Sequence, residues 1–449
     1  MKVLHVPYCY YPDAIGGTEI YVESLARFQR ELGIEVVVAA PGPKDVSYPH
    51  DGHPVYRFQT ATAPSLPELY GRGDPQAARS FRGVLESVQP DVVHLHAFTS
   101  AVSIRVVRGT RESGIPVVFT YHTPTVSCTR GTLLRWGSEL CEGVMETRAC
   151  AQCRLQSNGM PKAVARMMGS LPTSVGNCAG KLGFSGSAWT ALRTTELVSI
   201  RHSAARALFA EADRIVAVCE WGRELLVRNG VDPGKIELSR QGLSSLAYAR
   251  IPKKAAGTAP ALRMAFMGRL DVVKGLGVLI EALQLAPSLA VTLDIFAIVQ
   301  GESGRRLMQA LKLKSSHDRR ISFQPPLVAD QTVDRLREYD VLAVPSQWLE
   351  TGPLVVYEAF AAGTPVIGSR RGGIAELVQH EKNGLLVETS SREAWAGAVS
   401  RLVEDRTLLP KLQRGIGPVR TMRDVASEMQ PVYERVLAGA RRQTQSAAL

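Results

Sequence analysis

The feature that most constrains this chain is a recurrent alternation of short apolar runs with amphipathic helical segments, interrupted once near the middle. Lys2 to Pro7 (KVLHVP) is a run closed by Pro7. It is followed by a Gly16-Gly17 turn, a segment from Glu19 to Leu32 with apolar Ile20, Val22, Leu25, Ala26 and Phe28, and a second run from Val36 to Ala40. Further runs lie at Asp91 to His94, Val117 to Tyr121 and Arg214 to Val218. Each is apolar on both faces, as parallel strands covered by helices on both sides must be. Strands alternating with helices predict a doubly wound α/β domain. After Gln241-Gly242 the stretch Ile251 to Pro260 loses all periodicity and gains Pro, Gly and Ala, which reads as a linker. The alternation then restarts, with runs at Met264 to Met267, Leu293 to Ile298, Ile321 to Gln324, Val341 to Val344 and Pro365 to Gly368. The expected organisation is α/β throughout: a first domain over 1–245, a linker over 246–262, a second over 263–423 and a terminal segment over 424–449. Open parallel sheets bind ligands beyond the carboxyl ends of their strands, so two of them should share a cleft.

With 45% apolar and 21% charged residues in 449, the composition excludes a disordered tail, a coiled coil and a collagen-like repeat. No apolar run reaches the roughly 20 residues of a membrane-spanning helix. Met1 to Ile15 carries Lys2, Pro7, Pro12 and Asp13 in place of a signal-peptide core, so a cytoplasmic location is expected. The net charge of +11 is uneven: between Arg148 and Arg206 eight cations face Glu196 alone. Such a face is either a solvated helical surface or a site for an anionic partner. Nucleic acid is disfavoured, because no RNA-reading aromatic motif, zinc-finger helix or helix-turn-helix accompanies the charge. A phosphorylated acceptor or the anionic inner face of a membrane fits better.

Chemistry is expected at two strand ends. Arg269 follows one run in Gly268-Arg269-Leu270, and Lys274 opens the next helical segment. Two cations beside a helix N-terminus suit a diphosphate, the Arg by bidentate bonds and the Lys as a point charge. In the second stretch, Val344 to Ala359, a strand ends, a Gly352 turn follows, and Pro353 stands where a helix starts before stopping at Gly363. The N–H groups of Leu354, Val355 and Val356 should point at a ligand, framed by Glu350 and Glu358. A carboxylate beside an anion site needs hydroxyls to accept from, and sugars supply them in pairs.

These stretches, with GGTE at 16–19, DVVHLH at 91–96, GRL with KG at 268–275 and PSxWxExxPLxxxEAFAAGTPVI around Glu350 and Glu358, resemble family 4 of the retaining glycosyltransferases. The match runs in order along nearly the whole chain, and includes a Gly372-Gly373-Ile374-Ala375-Glu376 turn and an Asn383-Gly384-Leu385 turn. The resemblance implies the GT-B fold: two Rossmann-like domains facing across a cleft, the acceptor on the first, the nucleotide-sugar donor on the second, and a last helix returning to the first. Asp424 to Leu437 fits that helix, with a kink at Pro431. The resemblance further implies that Arg269 and Lys274 hold the diphosphate, that Glu358 binds the ribose and that Glu350 lies beside the transferred sugar. His96 stands for the family histidine near the anomeric centre, and Gly16 and Gly17 belong to a loop over the phosphates. Retention implies attack from the leaving-group face, with the phosphate taking the acceptor's proton. Glu350 is then an electrostatic group, a covalent role staying open. No Asp-x-Asp pair occurs, so transfer without a catalytic metal or other cofactor is expected. A sugar-nucleotide epimerase or phosphorylase of the same architecture, and a silent nucleotide-sugar-binding partner, are the alternatives.

Cys128, Cys141, Cys150 and Cys153 form C-x12-C-x8-C-x2-C inside an insertion over about 123–205. Four thiolates can close a tetrahedral structural zinc site. Free loop thiols are the other reading. The basic stretch after them, Met160 to Ser187, carries apolar Met167, Met168, Leu171 and Leu182. It reads equally as a membrane-resting segment and as an ordinary helical insertion.

Overall fold

A computed structural model describes residues 1–13, 16–244, 261–327 and 331–447, with side chains as far as Arg442. The chain divides into two compact units, Met1–Arg240 with Met422–Leu449, and Gln241–Thr421. Most of the expected linker, residues 246–260, lies outside the described residues.

Ten strands belong to the first unit: β1 (Lys2–Val6), β2 (Glu35–Gly42), β3 (Val46–His50), β4 (His53–Gln59), β5 (Val92–Leu95), β6 (Val117–Tyr121), β7 (Leu134–Arg135), β8 (Glu139–Leu140), β9 (Arg214–Ala217) and β10 (Ile236–Leu238). Eight of them form one sheet in the order β10-β9-β6-β5-β1-β2-β4-β3, parallel except for the edge pair β3–β4. The strands β5 and β6 are buried at every residue, which explains their unbroken apolar runs. In register, His5 of β1 stands beside His94 of β5.

The helix Gly17–Glu31 turns Tyr21, Val22, Leu25, Ala26 and Phe28 inward, a stripe at helical spacing. Its start is fixed by Glu19, whose Oε2 accepts the Gly16 N–H at 3.0 Å. The last helix, Met422–Ala447, packs in this same unit, beginning two residues before the expected boundary. Met422, Val425, Ala426, Met429, Val432, Tyr433 and Val436 are buried in one cluster with Val22, Leu25 and Phe28. Pro431 is exposed and lies inside this helix, with buried Met429 and Val432 on either side of it.

The second unit holds a six-stranded sheet, parallel throughout, in the order β13-β12-β11-β14-β15-β16. Its strands are β11 (Leu262–Arg269), β12 (Val291–Ile298), β13 (Ile321–Gln324), β14 (Val341–Val344), β15 (Val366–Ser369) and β16 (Gly384–Val387). The longest pairing, β11 with β12, runs from Leu262↔Val291 to Arg269↔Ile298 and so ends at the first predicted site residue. Leu279, Leu293, Ile367 and Trp395 are wholly buried beside it.

Met429 is fully buried in the cluster that joins the helices Gly17–Glu31 and Met422–Ala447. Met429→Ala should therefore destabilise that unit by about 2–5 kcal/mol, the usual cost of a large-to-small core change. Urea unfolding followed by circular dichroism checks this, and an unchanged midpoint contradicts the packing.

Candidate active site

In the second unit the predicted residues cluster beyond the carboxyl ends of β11 and β14. Arg269 is the last residue of β11 and is exposed. No carboxylate partner is found for it among the described residues. From sequence Lys274 is expected to open a helix directly. Instead Val272–Lys274 forms a short 3-10 turn, and Gly275, at φ +75°, separates it from the helix Leu276–Leu285. A side chain at Gly275 would collide with the Pro345 carbonyl, so the two loops touch through bare backbone. The Gln347 N–H donates to the Val273 carbonyl at 2.7 Å and joins them further.

That contact brings Lys274 to Glu350. The Lys274 Nζ donates to Glu350 Oε1 at 2.7 Å, and the same oxygen accepts from Ser346 Oγ at 2.7 Å and Trp348 Nε1 at 2.8 Å. Glu350 is 6% exposed. Burial alone would raise its carboxyl, but the Lys274 charge and the three hydrogen bonds outweigh it and leave the pKa lowered. The Glu350 backbone is clamped as well, its carbonyl accepting the Gly373 N–H at 2.6 Å. A Cβ at Gly372 or Gly373 would run into this backbone, which accounts for the double glycine. Glu350 is therefore a fixed, ionised group that holds Lys274 in place. Ser346 and Trp348, within the motif but given no role from sequence, supply two of the three hydrogen bonds to Glu350 Oε1.

Pro353 is the cap of the helix Leu354–Ala361, not its first residue. The Val356 N–H is consumed by the Pro353 carbonyl at 3.0 Å, so of the three predicted donors only those of Leu354 and Val355 remain for a ligand. Glu358 sits one turn on, half-buried, and no hydrogen-bond partner for its carboxylate is found among the described residues. Burial pushes its pKa from an ordinary 4.5 up to about 7. Its hydrogen-bonding capacity is thus unspent among the described residues.

In the first unit His96 follows β5 and is buried, as the strand-end position predicts. Its partners are not readable from sequence. Its Nε2 is bonded to His5 Nδ1 at 2.9 Å and its Nδ1 to His122 Nε2 at 3.1 Å. His122, the first residue after β6, went unmarked in the sequence, although the same strand-end rule applies to it. His5, His94 and His96 place ring nitrogens within 4.8 Å of one another. These nitrogens are already spent: His5 and His96 bond each other, while His94 bonds Tyr433 and Thr120 at 2.8 and 2.7 Å. The cluster is a hydrogen-bonded core, not a set of converging lone pairs for a metal. Gly16 and Gly17 open the helix Gly17–Glu31, and residues 14–15 of their loop lie outside the described residues.

In the insertion, Cys150 and Cys153 lie one turn apart on the helix Thr147–Ser157. Cys141 follows β8, and Cys128 follows a short 3-10 turn, Pro124–Val126. The loop bearing Cys128 is fixed to the helix by Arg130, which donates to the Cys153 carbonyl at 3.4 Å and to Gln156 Oε1 at 2.7 Å. All four are free thiols and half-buried. Burial pushes the Cys150 thiol up to about 12, and Cys128, Cys141 and Cys153 add to the shift.

Residues 252–416 match the family described as Glycosyl transferases group 1, and residues 16–241 match the Glycosyl transferase 4-like domain, half of the chain. The chain belongs to the glycosyl transferase 4-like family. Its relatives include a D-inositol 3-phosphate glycosyltransferase of Rhodococcus jostii, 35% identical over 44% of this chain and 46% of that protein. Another, from Acidothermus cellulolyticus, is 29% identical over 92% of this chain and 82% of its own length. The chain thus spans about half the length of the first of these relatives. Among solved structures, sucrose-phosphate synthase from Thermosynechococcus elongatus superposes with a TM-score of 0.67 at 19% identity, covering 98% of this chain and 100% of that one. Anabaena HepE in complex with UDP gives 0.60 at 16% identity, over 100% and 99%. These likenesses show the two Rossmann-like domains of the GT-B fold, with the last helix returning to the first unit as the resemblance implied. Among the described residues no helix of this glycosyl transferase 4-like chain is long and apolar enough to cross a membrane.

The raised Glu358 carboxyl has a pH signature. Between 4.5 and about 7 the folded chain keeps a proton that the unfolded chain has released, so stability falls as pH climbs through that window. Glu358→Gln removes the titration. Its melting temperature relative to the parent should be least favourable at pH 5 and rise toward pH 8; a pH-independent difference contradicts the raised pKa.

Proposed function

We propose that this protein is a retaining glycosyltransferase that moves a sugar from a nucleotide-sugar donor to a glycan or lipid-linked acceptor, in the building of cell-surface polysaccharide. The observation that carries the reading is the pairing in one unit of a strand-end cation, Arg269, and the carboxylate of Glu358, neither of which has a side-chain partner among the described residues. A nucleoside diphosphate supplies the complement of both, phosphate for Arg269 and ribose hydroxyls for Glu358. Lys274, steadied by Glu350, and the free N–H groups of Leu354 and Val355 complete the grip on the diphosphate.

These groups stabilise negative charge as the nucleotide departs, so the reading needs no divalent metal for the leaving group. The departing phosphate takes the acceptor's proton on the same face, which gives retention. Glu350, committed to three donors, acts as an electrostatic support for the sugar. Relatives named for D-inositol 3-phosphate and a similar fold holding UDP favour a phosphorylated acceptor and a uridine donor among the options. The exposed apolar side chains of Met167, Leu182 and Phe184, beside Lys162, Arg166 and Lys181, favour contact with the anionic inner face of a membrane from the cytoplasm.

Differential scanning fluorimetry against UDP, GDP and ADP sugars tests the donor site. One nucleotide at 100 times its Kd should raise the melting temperature by roughly 5–10 °C, and Arg269→Ala should abolish the rise. No shift with any nucleotide contradicts the reading. Glu350→Gln should abolish transfer and also weaken nucleotide binding, because Lys274 loses its anchor; the absence of transfer by the parent protein favours a silent binding partner.

For the four insertion cysteines, on a helix turn, a hairpin end and a pinned loop, we propose a structural zinc ion that would have to draw their thiolates together, since His5, His94 and His96 are the group whose ligand atoms already converge among the described residues. Such a closed site has no role in the chemistry. Elemental analysis of the protein as purified should give one zinc per chain, lost in the Cys150→Ser, Cys153→Ser double variant. Four freely titrating thiols and no zinc contradict it.

A further inference from the structure

The buried histidines of the first unit form a single file of hydrogen bonds whose direction follows from donor and acceptor counting. At its inner end Gln29 Nε2 donates to Tyr433 Oη at 3.0 Å, which leaves Gln29 Oε1 facing His5 Nε2 at 2.8 Å. A carbonyl oxygen has no proton to give, so His5 Nε2 carries it. Burial lowers His5 to about 4 and leaves it neutral, so its Nδ1 is a bare lone pair. The partner of that lone pair, His96 Nε2 at 2.9 Å, must then be protonated. His96 is neutral too, through burial and then its histidine neighbours, so its Nδ1 is bare and faces His122 Nε2 at 3.1 Å. That nitrogen in turn carries a proton, and neutral His122 is left with a bare Nδ1.

Tyr433 is accounted for by the same count. Having accepted from Gln29, it gives its own proton to His94 Nδ1 at 2.8 Å, and the His94 Nε2 proton goes to Thr120 Oγ1 at 2.7 Å. Turning the Gln29 amide over would reverse every bond in the file and put a proton on His122 Nδ1. One amide, held between a histidine and the tyrosine of the last helix, therefore decides what the far end offers. His122 is that far end: it is the first residue after β6, 6% exposed, edge-on to Tyr21 at 4.7 Å, and no partner for its Nδ1 is found among the described residues.

We infer that Gln29, oriented by Tyr433, sets one proton polarity through His5, His96 and His122, so that His122 presents an accepting Nδ1 to a ligand hydroxyl at the carboxyl end of β6. Gln29, Tyr433 and His5 are positioning residues; His122 is the group that meets the ligand. The identity of that hydroxyl as a sugar's rests on the transferase reading, whereas the polarity itself does not.

Long-range nitrogen-15 NMR of the full chain labelled on histidine reads the tautomers directly, with His122→Asn and His96→Asn variants assigning the signals. The expected result is a protonated Nε2 and an unprotonated Nδ1 on His5, His96 and His122, with the opposite arrangement nowhere in the file. A protonated Nδ1 on His122 overturns the inference whether or not the protein transfers sugar. Gln29→Leu should leave His122 with mixed tautomers, and Gln29→Glu, which can only accept, should restore the single one. A His122 tautomer unchanged in Gln29→Leu also overturns it. If Gln29→Leu does not fold, Tyr433→Phe serves in its place, with the same mixed signal expected and an unchanged one contradicting the assignment. With transfer established, Gln29→Leu should lower kcat about tenfold with donor KM little changed, and Gln29→Glu should recover it.

Discussion

Parallel strands covered on both faces leave a chain few places to present polar chemistry, and the rest of this structure follows from that restriction. Inside the sheets every polar group must find a partner within the protein. Beyond the carboxyl ends the backbone is free to form turns, and helix N-termini bring unspent N–H groups to the same edge. Arg269, Glu350, Leu354 and Val355 in one unit, and His96 and His122 in the other, all lie at such edges. The sheets do not make the site; they confine it.

Within that confinement the two units handle buried polarity differently. Glu350 is an ionised group taken out of water, tolerated because Lys274, Ser346 and Trp348 all donate to one of its oxygens. Glu358 has no such company, and burial raises its pKa instead. The histidines of the first unit avoid charge altogether and share protons along a line. A fixed anion, a titrating acid and a neutral file are three solutions to one problem, and each suits a different task.

The α/β class, many of its parallel strands and the placing of Arg269 at a strand end and of Glu358 near a helix start were legible because they rest on local patterns: an apolar run, a turn glycine, a carboxylate at fixed spacing; the antiparallel edge pair β3–β4 and the strand order were not. What escaped the sequence was relational. Nothing in the run Val344–Ala359 says that Val356 spends its N–H on Pro353, because capping geometry is decided by a single ψ angle at Pro353. Lys274 was legible as a cation and illegible as the partner of Glu350, since their meeting needs Gly275 to bring two loops into backbone contact. His122 was open to the rule that found His96. Gln29 and Tyr433 were not, being ordinary residues on two helices far apart in the chain.

The return of the last helix to the first unit also bears on how the molecule is made. A ribosome releases the chain from its N-terminus, and domains made of contiguous sequence close as they emerge. Residues 241–421 are such a stretch, whereas the first unit is not. Its sheet is complete by Leu238, yet Val22, Leu25 and Phe28 await Met429 and Tyr433, which arrive after the whole second unit has been synthesised. The half made first is finished last, and during that interval its apolar helix face and its histidine file stand open to water.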